Sequence, residues 1–526
     1  MNCIVALEFR TLRWLLAIGI PSLMGCVPEL APVTRSLEVP AEYSGAQTKE
    51  CSAQVNWREF FKDPDLVHLI DTALAGNQEL KVFLQELEVV KNEAAARGGA
   101  YLPFLELESG AGFDKVGRYT RSGALEANND IAPGREFPEP LANYRIGAKA
   151  TWEIDIWNRL RNSEKAAVSR VLATEEGRNF LVTNLVAEVA RAFYELRALD
   201  DQMEIVKQNI ETQSNALQMV RIQKEAARVT ELALRRFEAL VLKTRSLQFE
   251  IQQKIIEAEN RINLLVGRFP QHIARGAHHL STTSPSVVSA GVPSELLRNR
   301  PDIRQAEFNI SAAELDVQVA RAAFYPSLTL TADIGYEAYR LGSTIRDPES
   351  LFYSLVGGIA GPLLNRTAIT ADYLSANAKQ LAAIFTYERT VLGAFMEACN
   401  QIANVQNLSN SIELRELEVK ALSDSVEIAG MLFSAARAEY TEVLLTQRDA
   451  LESRFELINT KKEKLIALVN LYRALGGGWE RGEAHIGSEG VTSPVAPEAS
   501  PKATTPTTAA KAASGPSAIE PISVNG

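Results

Sequence analysis

Residues 100–107, AYLPFLEL, recur in altered form as residues 323–330, AFYPSLTL, and this pair of octapeptides decides the fold. Each copy follows a predicted helical stretch, at 71–99 and at 301–322, and each begins a segment with the character of a β-strand. A motif that recurs in the same structural context predicts two copies of one supersecondary unit. We therefore expect the chain to be a tandem duplication.

Two further matches extend the duplication toward the end of each half. The tripeptide 157–159 (WNR) corresponds to 364–366 (LNR), and 226–228 (AAR) corresponds to 435–437 (AAR). The first pair precedes very long helical segments, and the second pair marks a turn within them. Each half is predicted to run helix, strand, strand, long helix, turn, helix.

Four segments alternate apolar and polar residues with a period of two, which puts one set of side chains on each face of a strand. Residues 145–156 and 327–336 alternate most clearly, 104–114 alternate more weakly, and 352–364 are the least regular. The apolar sets of the two clearest strands are Ile146, Ala148, Ala150, Trp152, Ile154 and Ile156, and Leu328, Leu330, Ala332, Ile334 and Tyr336. A half-buried soluble sheet has the same pattern, but strands of about 10 to 13 residues with a polar second face favour a transmembrane barrel.

Four strands are too few to close a barrel, and open edges are not tolerated in the hydrocarbon of a membrane. Several chains must therefore pool their strands. Two chains give eight strands, whose interior is nearly filled by side chains, whereas three chains give 12 strands and leave a lumen. We expect a homotrimer with a 12-stranded barrel.

The segment 163–225 has the apolar spacing of a coiled coil, in which steps of three and four residues alternate. Its first seam consists of Val182, Leu185, Val189, Ala192, Leu196, Leu199, Met203, Val206 and Ile210, and a second seam follows Val186, Ala190 and Phe193. Two seams suit a helix that packs on both sides within a barrel wall. At 1.5 Å per residue the helix would be on the order of 90 Å long, which suits a tube across the periplasm.

The N-terminus carries an export signal. Two arginines precede the apolar run 14–20, which is too short to span a bilayer. The run leads into residues 23–26, LMGC, which resemble a bacterial lipobox, so Cys26 is predicted to be acylated and to become the first mature residue. An ordinary signal peptide with an incidental cysteine is the alternative. Val27 follows the cysteine where inner-membrane lipoproteins have Asp, which favours anchoring to outer-membrane lipid.

Composition excludes several classes of protein. Over 526 residues the net charge is −10, from 55 Lys and Arg against 65 Asp and Glu, which argues against a nucleic-acid partner. The mean hydropathy of −0.08 excludes a polytopic helical membrane protein. Four cysteines are too few for a disulfide-built scaffold, and five histidines without a Cys/His cluster predict no metal site. The sequence contains no nucleophile elbow or P-loop, so neither an enzyme nor a cofactor is predicted.

Two motifs carry a family resemblance. Residues 292–307, VPSELLRNRPDIRQAE, resemble the mid-chain signature of the TolC-like outer-membrane efflux factors, in their branch of NodT-type lipoproteins. Residues 57–66, WREFFKDPDL, resemble the N-terminal motif of the same family. The resemblance implies a mixed α/β membrane protein, whose trimer forms a 12-stranded β-barrel continued by a 12-helix tube in the periplasm.

The same resemblance implies a function and partners. The channel would be the passive exit duct of a tripartite efflux pump in the cell outer membrane. An inner-membrane efflux transporter would supply the energy, and a periplasmic membrane-fusion adaptor would join the two. A channel for protein secretion and a non-conducting coiled-coil envelope lipoprotein are the alternatives.

The two helix turns, near 222–230 and 432–440, are predicted to form the periplasmic tip of the tube. The family carries a glycine in each turn, and this chain has alanine at both positions. The candidate adaptor-docking residues are Ala227, Arg228, Ala436 and Arg437. The two arginines either pair with acids that hold the tip shut or cap helix carbonyls.

Glu442, Leu445 and Arg437 are the candidate pore constriction. The resemblance implies acidic residues around the pore beyond each turn. Glu442 keeps one such position, Leu445 replaces a usual Asp, and Ala233 stands where the first repeat often has an acid. A carboxylate repeated three times around a narrow axis binds cations. The alternative for Glu442 is an exposed helix acid near Arg437.

The predicted organisation has six parts. They are a signal peptide at 1–25, a lipid-anchored N-terminal and equatorial segment at 26–70, a first repeat at 71–267, an equatorial linker at 268–300, a second repeat at 301–475 and a C-terminal region at 476–526. The last part ends in a tail rich in Ala, Pro, Ser and Thr that is predicted to be disordered.

Overall fold

The computed structural model describes residues 27–30, 40, 55–276, 280, 293–362, 364, 366–435 and 437–479. The predicted signal peptide, Cys26, Ala436 and the predicted disordered tail lie outside the described residues.

Long helices and one small sheet make up the described part of the chain. The helices are α1 (Trp57–Phe60), α2 (Pro64–Gly76), α3 (Gln78–Gly99), α4 (Arg121–Asn128), α5 (Arg159–Glu225), α6 (Glu231–Val266), α7 (Leu296–Asn299), α8 (Pro301–Ala322), α9 (Thr367–Ser434) and α10 (Tyr440–Ala474). The strands are β1 (Phe104–Asp114), β2 (Asp130–Ala132), β3 (Arg135–Glu136), β4 (Leu141–Ile154), β5 (Ser327–Ala338) and β6 (Leu351–Ala360).

The four predicted strands form one antiparallel sheet in the order β1-β4-β5-β6. Each repeat contributes one hairpin, β1–β4 or β5–β6, and the β4–β5 ladder joins the two repeats. The short strands β2 and β3 pair with each other in the connection between β1 and β4. The predicted duplication therefore places two equivalent hairpins side by side.

Three predicted boundaries are wrong, each for a local reason. Strand β4 ends at Ile154 and not at 156, because the carboxylate of Asp155 accepts hydrogen bonds from the first N–H groups of α5, at 3.1 and 3.0 Å. Strand β6 ends at Ala360 and not at 364, before Pro362, which has no N–H for a ladder. The helix predicted at 71–99 is two helices, because Asn77 caps α3 through a 2.8 Å bond from the N–H of Leu80.

The predicted coiled-coil seam of α5 lies in the core of the protein. Eight of its nine residues are buried, and Ile210 is partly buried against the same cluster. The second seam, Val186, Ala190 and Phe193, is also buried. Helix α5 packs against α3, α6, α8 and α10, and α9 packs against α8 and α10. With 67 residues in α5 and 68 in α9, each of these helices is about 100 Å long.

Shorter helices meet end to end beside the long ones. The side chain of Asn77, at the start of α3, donates a 2.9 Å hydrogen bond to Leu265 O at the end of α6. Gly267 ends α6 with φ +78°, and a Cβ there would lie 2.3 Å from Gly76 O, so only glycine fits this junction. The end of α10 meets the start of α8 in the same way, through a 2.7 Å bond from Arg300 to Ala474 O. The helices therefore form four parallel columns, called the wall. The first column consists of α3 and α6, the second of α5, the third of α8 and α10, and the fourth of α9.

Candidate functional site

The two faces of the sheet differ in chemistry across all four strands. One row of directly paired residues is Glu106, Lys149, Asp333 and Ser354, and the next row is Leu107, Ala148, Ile334 and Tyr353. Adjacent residues of a strand point to opposite faces. The register therefore collects the polar residues on one face, called the polar face, and the apolar residues on the other, called the apolar face.

The polar face is predominantly acidic. Its charged residues are the acids Glu106, Glu108, Asp114, Glu153, Asp333 and Glu337 and the cations Arg145 and Lys149. Lys149 lies 3.7 Å from the Glu108 carboxylate, and each of the two side chains is about two-fifths exposed. Six carboxylates against two cations give this face a net charge of −4 in each chain. A surface of this kind suits contact with water and mobile ions.

None of the described residues covers the apolar face. Leu107 is 89% exposed, Tyr353 80% and Leu355 77%. A large exposed apolar surface marks contact with a partner or with lipid. Strands that alternate between an apolar and a polar face are the pattern of membrane barrels, in which lipid covers the first face and water the second.

The sheet has two open edges. Within the described residues, strand β1 pairs only with β4 and β6 only with β5, so each leaves one row of backbone N–H and C=O groups without a ladder. Such edges are templates for pairing with another chain. The fold therefore presents complementary edges on the two sides of the subunit.

The first turn at the tip of the helices has a strained residue where the resemblance implies glycine. Ala227 has φ +56°, a left-handed conformation that costs about 1 kcal/mol for a residue with a Cβ. Its N–H donates to Lys224 O at 2.9 Å, and the N–H of Arg228 donates to Gln223 O at 2.8 Å. These two bonds are the Schellman closure of a helix C-terminus.

The second turn closes with the same kind of bond. The N–H of Arg437 donates to Leu432 O at 2.8 Å, at the position that Arg228 occupies in the first repeat. The backbone N–H groups of both arginines therefore cap helix carbonyls. Their guanidinium groups are exposed and form no ion pair with any residue in the described part of the chain.

The two turns pack together as one tip. Val220, Phe237, Ala429 and Val443 form a small buried cluster that links the four helices near their ends. A salt bridge of 2.8 Å joins Lys224 to Glu231 across the first turn, and its hydrogen bond lowers the pKa of the Glu231 carboxyl. A cleft of about 410 Å³ opens between the turns, and its lining includes Gln223, Arg228, Thr230, Phe433, Glu439 and Tyr440.

The two other constriction candidates lie on the first turns of α10. Glu442 is exposed and lies in the first turn, where the helix dipole favours a negative charge. Leu445 is 49% exposed. Within the described residues, Glu442 forms no ion pair with Arg437.

A buried ionic network supports the junction between α10 and α8, within the mid-chain motif. Arg300, whose side chain is 8% exposed, pairs with Asp302 at 2.8 Å and with Glu397 at 3.0 Å. Burial alone would lower the pKa of its guanidinium, but the hydrogen bonds and charges of the two acids outweigh burial and raise this pKa. Arg473 also pairs with Glu397. The network ties α8, α9 and α10 together at one level.

The N-terminal motif packs against both repeats. The ring of Phe60 stacks on Tyr472 of α10 at 4.1 Å, and the Tyr472 hydroxyl donates a 2.6 Å hydrogen bond to Val55 O. Buried Arg197 of α5 pairs with Asp63 and Asp65, each at 3.4 Å. Residues 57–66 therefore pack against the middle of α5 and the C-terminal part of α10, away from the tip.

The described residues contain neither a membrane-spanning helix nor a metal site. None of the helices there combines the length and apolarity needed to cross a membrane. No group of three or more His, Cys, Asp or Glu side chains in the same ranges could hold a metal ion. Cys399 is a half-buried free thiol whose pKa is raised by burial.

The sequence patterns did not predict the contact between Arg145 and Phe352 or the buried ionic network around Arg300. In the sequence, Arg145 belongs only to the alternating run 145–156, and Phe352 only to the least regular strand, 352–364. Strand register brings Arg145 and Phe352 together across the β4–β5 and β5–β6 ladders, and no local pattern encodes that register. The one sequence feature that pointed to Arg145 was its charge in the middle of a strand.

The fold and the site together define the class of protein. A sheet with an apolar face, an acidic polar face and two open edges, attached to helices about 100 Å long, is the fold of a mixed α/β outer-membrane channel. A family model described as outer membrane efflux protein matches residues 69–268 and 292–477. The chain belongs to this family.

Similar proteins agree with this assignment. The chain is 27% identical over 457 residues to the pyoverdine export outer membrane protein OpmQ of Pseudomonas aeruginosa, which covers 86% of this chain and 94% of OpmQ. It is 27% identical over 470 residues to the cation efflux system protein CusC of Escherichia coli, with 88% and 97% covered. The crystal structure of the open MtrE outer membrane channel of Neisseria gonorrhoeae has the same fold, with a TM-score of 0.76 at 23% identity over 88% of this chain and 100% of MtrE.

The protein is therefore an efflux channel of the outer membrane. This confirms the predicted fold class, function and location, and it favours efflux over the secretion and spacer alternatives. The relatives are channel proteins rather than enzymes.

Proposed function

We propose that three copies of the chain form a passive exit duct, with a 12-stranded barrel in the outer membrane and a 12-helix tube in the periplasm. The observation that carries the proposal is a sheet with two open edges and two faces of opposite chemistry. Because hydrocarbon does not tolerate an open edge, β1 of one copy pairs with β6 of the next. Three copies leave a wet lumen lined by the polar face, and two do not.

Exposed apolar residues on the flanks of the wall support this assembly. On α6, Leu242, Phe249 and Ile256 recur every seven residues and are exposed. On α9, at the opposite flank, Leu414, Leu417, Ile428 and Met431 are exposed. Heptad spacing is the pattern of helices that pack along their length. Helix α9 of one copy packs against the α3 and α6 column of the next.

The tip receives a periplasmic membrane-fusion adaptor, and an inner-membrane efflux transporter supplies the energy. The docking residues are Ala227, Arg228, Ala436 and Arg437. Two exposed guanidinium groups that form no ion pair with the described residues support this role, because they can pair with carboxylates of the adaptor. The duct itself catalyses no reaction and holds no cofactor. The names of OpmQ and CusC refer to different substrates, pyoverdine and cations.

Acylation of Cys26 anchors the mature chain to outer-membrane lipid. The lipobox-like run 23–26 supports this assignment. Mass spectrometry of the mature N-terminus should find Cys26 as the first residue and bearing lipid. An unmodified N-terminus at another position would contradict it.

Bilayer recording tests the proposed duct. Purified full-length protein should behave as a trimer in detergent and should conduct ions after insertion into a planar bilayer. The mass measured by light scattering distinguishes three chains from one or two. A stable monomer, or a trimer without conductance under any applied potential, would refute the proposal.

The constriction proposal concerns Glu442, Leu445 and Arg437 at the tip. Three exposed Leu445 side chains around the axis narrow the pore by apolar contact, and three Glu442 carboxylates attract cations. We expect Leu445→Ser to raise the resting conductance about twofold and Glu442→Gln to lower the cation preference by a similar factor. The measurement is single-channel recording with ion gradients.

Matched variants separate these effects from general damage to the tip. Leu445→Met keeps an apolar side chain of similar volume, and Glu442→Asp keeps the charge, so both should conduct like the parent. If Leu445→Ser and Glu442→Gln are also indistinguishable from the parent, the constriction lies elsewhere.

A further inference from the structure

A glycine pair interrupts the polar face where β4 and β5 run side by side. Gly147 lies directly opposite Gly335. A Cβ on Gly335 would lie 2.4 Å from Ile146 O and 2.5 Å from the Cα of Gly147. No larger residue fits there without separating the two strands. The pair therefore leaves a stretch of bare backbone on the polar face.

Phe352 of β6 covers this bare stretch. Its ring atoms lie 3.0 Å from the Cβ position of Gly335 and 3.3 Å from that of Gly147. An aromatic ring laid over a glycine of a neighbouring strand restores the packing that glycine lacks. Phe352 thereby forms a flat apolar platform within an otherwise polar surface.

Arg145 lies across this platform. Its guanidinium carbon is 4.3 Å from the centre of the Phe352 ring, within the range of a cation–π contact. Its two terminal nitrogens lie 3.6 Å from Asp333 and 3.9 Å from Glu337. Asn143 donates a 2.7 Å hydrogen bond to the second oxygen of Glu337. One guanidinium therefore bridges two carboxylates of β5, and the ring fixes its height above the sheet.

This arrangement controls the charge of the polar face. Arg145 is one of two cations among six carboxylates on the polar face of the four-stranded sheet, and the other cation, Lys149, forms an ion pair with Glu108. Arg145 lies toward the strand ends that are farthest from the helices, because β4 runs from Leu141 to Ile154 and then enters α5. The outer part of the face therefore depends on this one guanidinium for its positive charge.

We propose that Arg145 is a selectivity-determining residue of the duct, which limits its preference for cations, and that Phe352 positions it. This inference rests on the proposed function, in which the polar face lines the lumen. An acidic wall concentrates cations and excludes anions. A guanidinium held flat on a ring reduces that potential without narrowing the bore. Anions, including negatively charged organic cargo, are the chemical class whose passage depends on Arg145.

Reversal potentials in a KCl gradient test the inference on the full-length protein in planar bilayers. Arg145→Ala and Arg145→Gln should each raise the ratio of potassium to chloride permeability about threefold, because three positive charges leave the wall. Arg145→Lys should keep the ratio close to that of the parent. Asp333→Asn should shift it in the opposite direction. Phe352→Leu should give a smaller rise than Arg145→Ala, because the charge remains but loses its fixed position.

Arg340→Ala is the control for net charge. It removes the same charge from the exposed connection between β5 and β6, outside the polar face, and should leave the ratio unchanged. Parent-like ratios in conducting Arg145→Ala and Arg145→Gln channels would overturn the inference and leave the duct intact. If neither variant inserts, an unchanged ratio in Asp333→Asn overturns it. A parent protein that does not conduct contradicts the proposed function instead.

Discussion

Replacing Arg300 with methionine is expected to prevent the protein from accumulating as a folded channel. Methionine has a similar length but no charge, so Asp302 would lose its partner in a site that is largely buried. Ala474 O, at the end of α10, would lose its 2.7 Å hydrogen bond. Removing one member of a buried ionic network costs about 3 to 5 kcal/mol. This loss falls at the junction on which the α8 and α10 column depends.

The measurement is the amount of folded protein in outer-membrane extracts, together with thermal unfolding of any purified protein. Arg298→Met is the matched control, because Arg298 lies two residues earlier in the same motif and is exposed. It should accumulate and unfold like the parent. Equal accumulation of Arg300→Met and Arg298→Met would show that the network contributes little to stability.

An arginine on the apolar face should block membrane insertion, whereas an arginine on the polar face should not. Ala332 and Thr331 are adjacent residues near the middle of β5, and they lie on opposite faces. Ala332 is paired with Ala150 and Leu355 on the apolar face. Arginine at the bilayer midplane costs about 2 to 4 kcal/mol in a barrel strand, and Ala332→Arg imposes this cost once in every chain.

Fractionation of the outer membrane measures how much of each variant is inserted. Ala332→Arg is expected to be strongly depleted from this fraction, and Thr331→Arg should be present close to the parental level because water surrounds its side chain. The two variants differ in position by one residue, so depth and added charge are matched. Similar depletion of both, or of neither, would contradict the assignment of the two faces.

Much of the fold was readable from local patterns. The repeated octapeptide located the start of both hairpins, and the alternation in 145–154 and 327–336 assigned each side chain to its correct face. The heptad steps from Val182 to Val206 identified residues that are buried in the core. Pro301 begins α8, and Gly476, with φ +93°, follows the end of α10, as expected of a helix start and a helix stop.

Other features needed the folded chain. Local alternation says which residues share a face of one strand, but the pairing of Gly147 with Gly335 depends on how two distant repeats align. The mid-chain motif identified a family without indicating that Arg300 reaches Glu397, which lies 97 residues further along the chain. The tip candidates were located by the turns, yet the exposure of Arg228 and Arg437 and the strain at Ala227 became visible only in three dimensions.

The sequence by itself determined the duplication, the strand faces, the long helices and the family. Each of these follows from a contiguous motif or from a residue pattern that repeats every two to seven residues. The tertiary structure decided the strand register, the end-to-end junctions of the helix columns and the position of Arg145 on Phe352. These depend on contacts between residues that are far apart in the chain. Such contacts form only when the packing of whole elements fixes distance and orientation at once, and no local period records that packing.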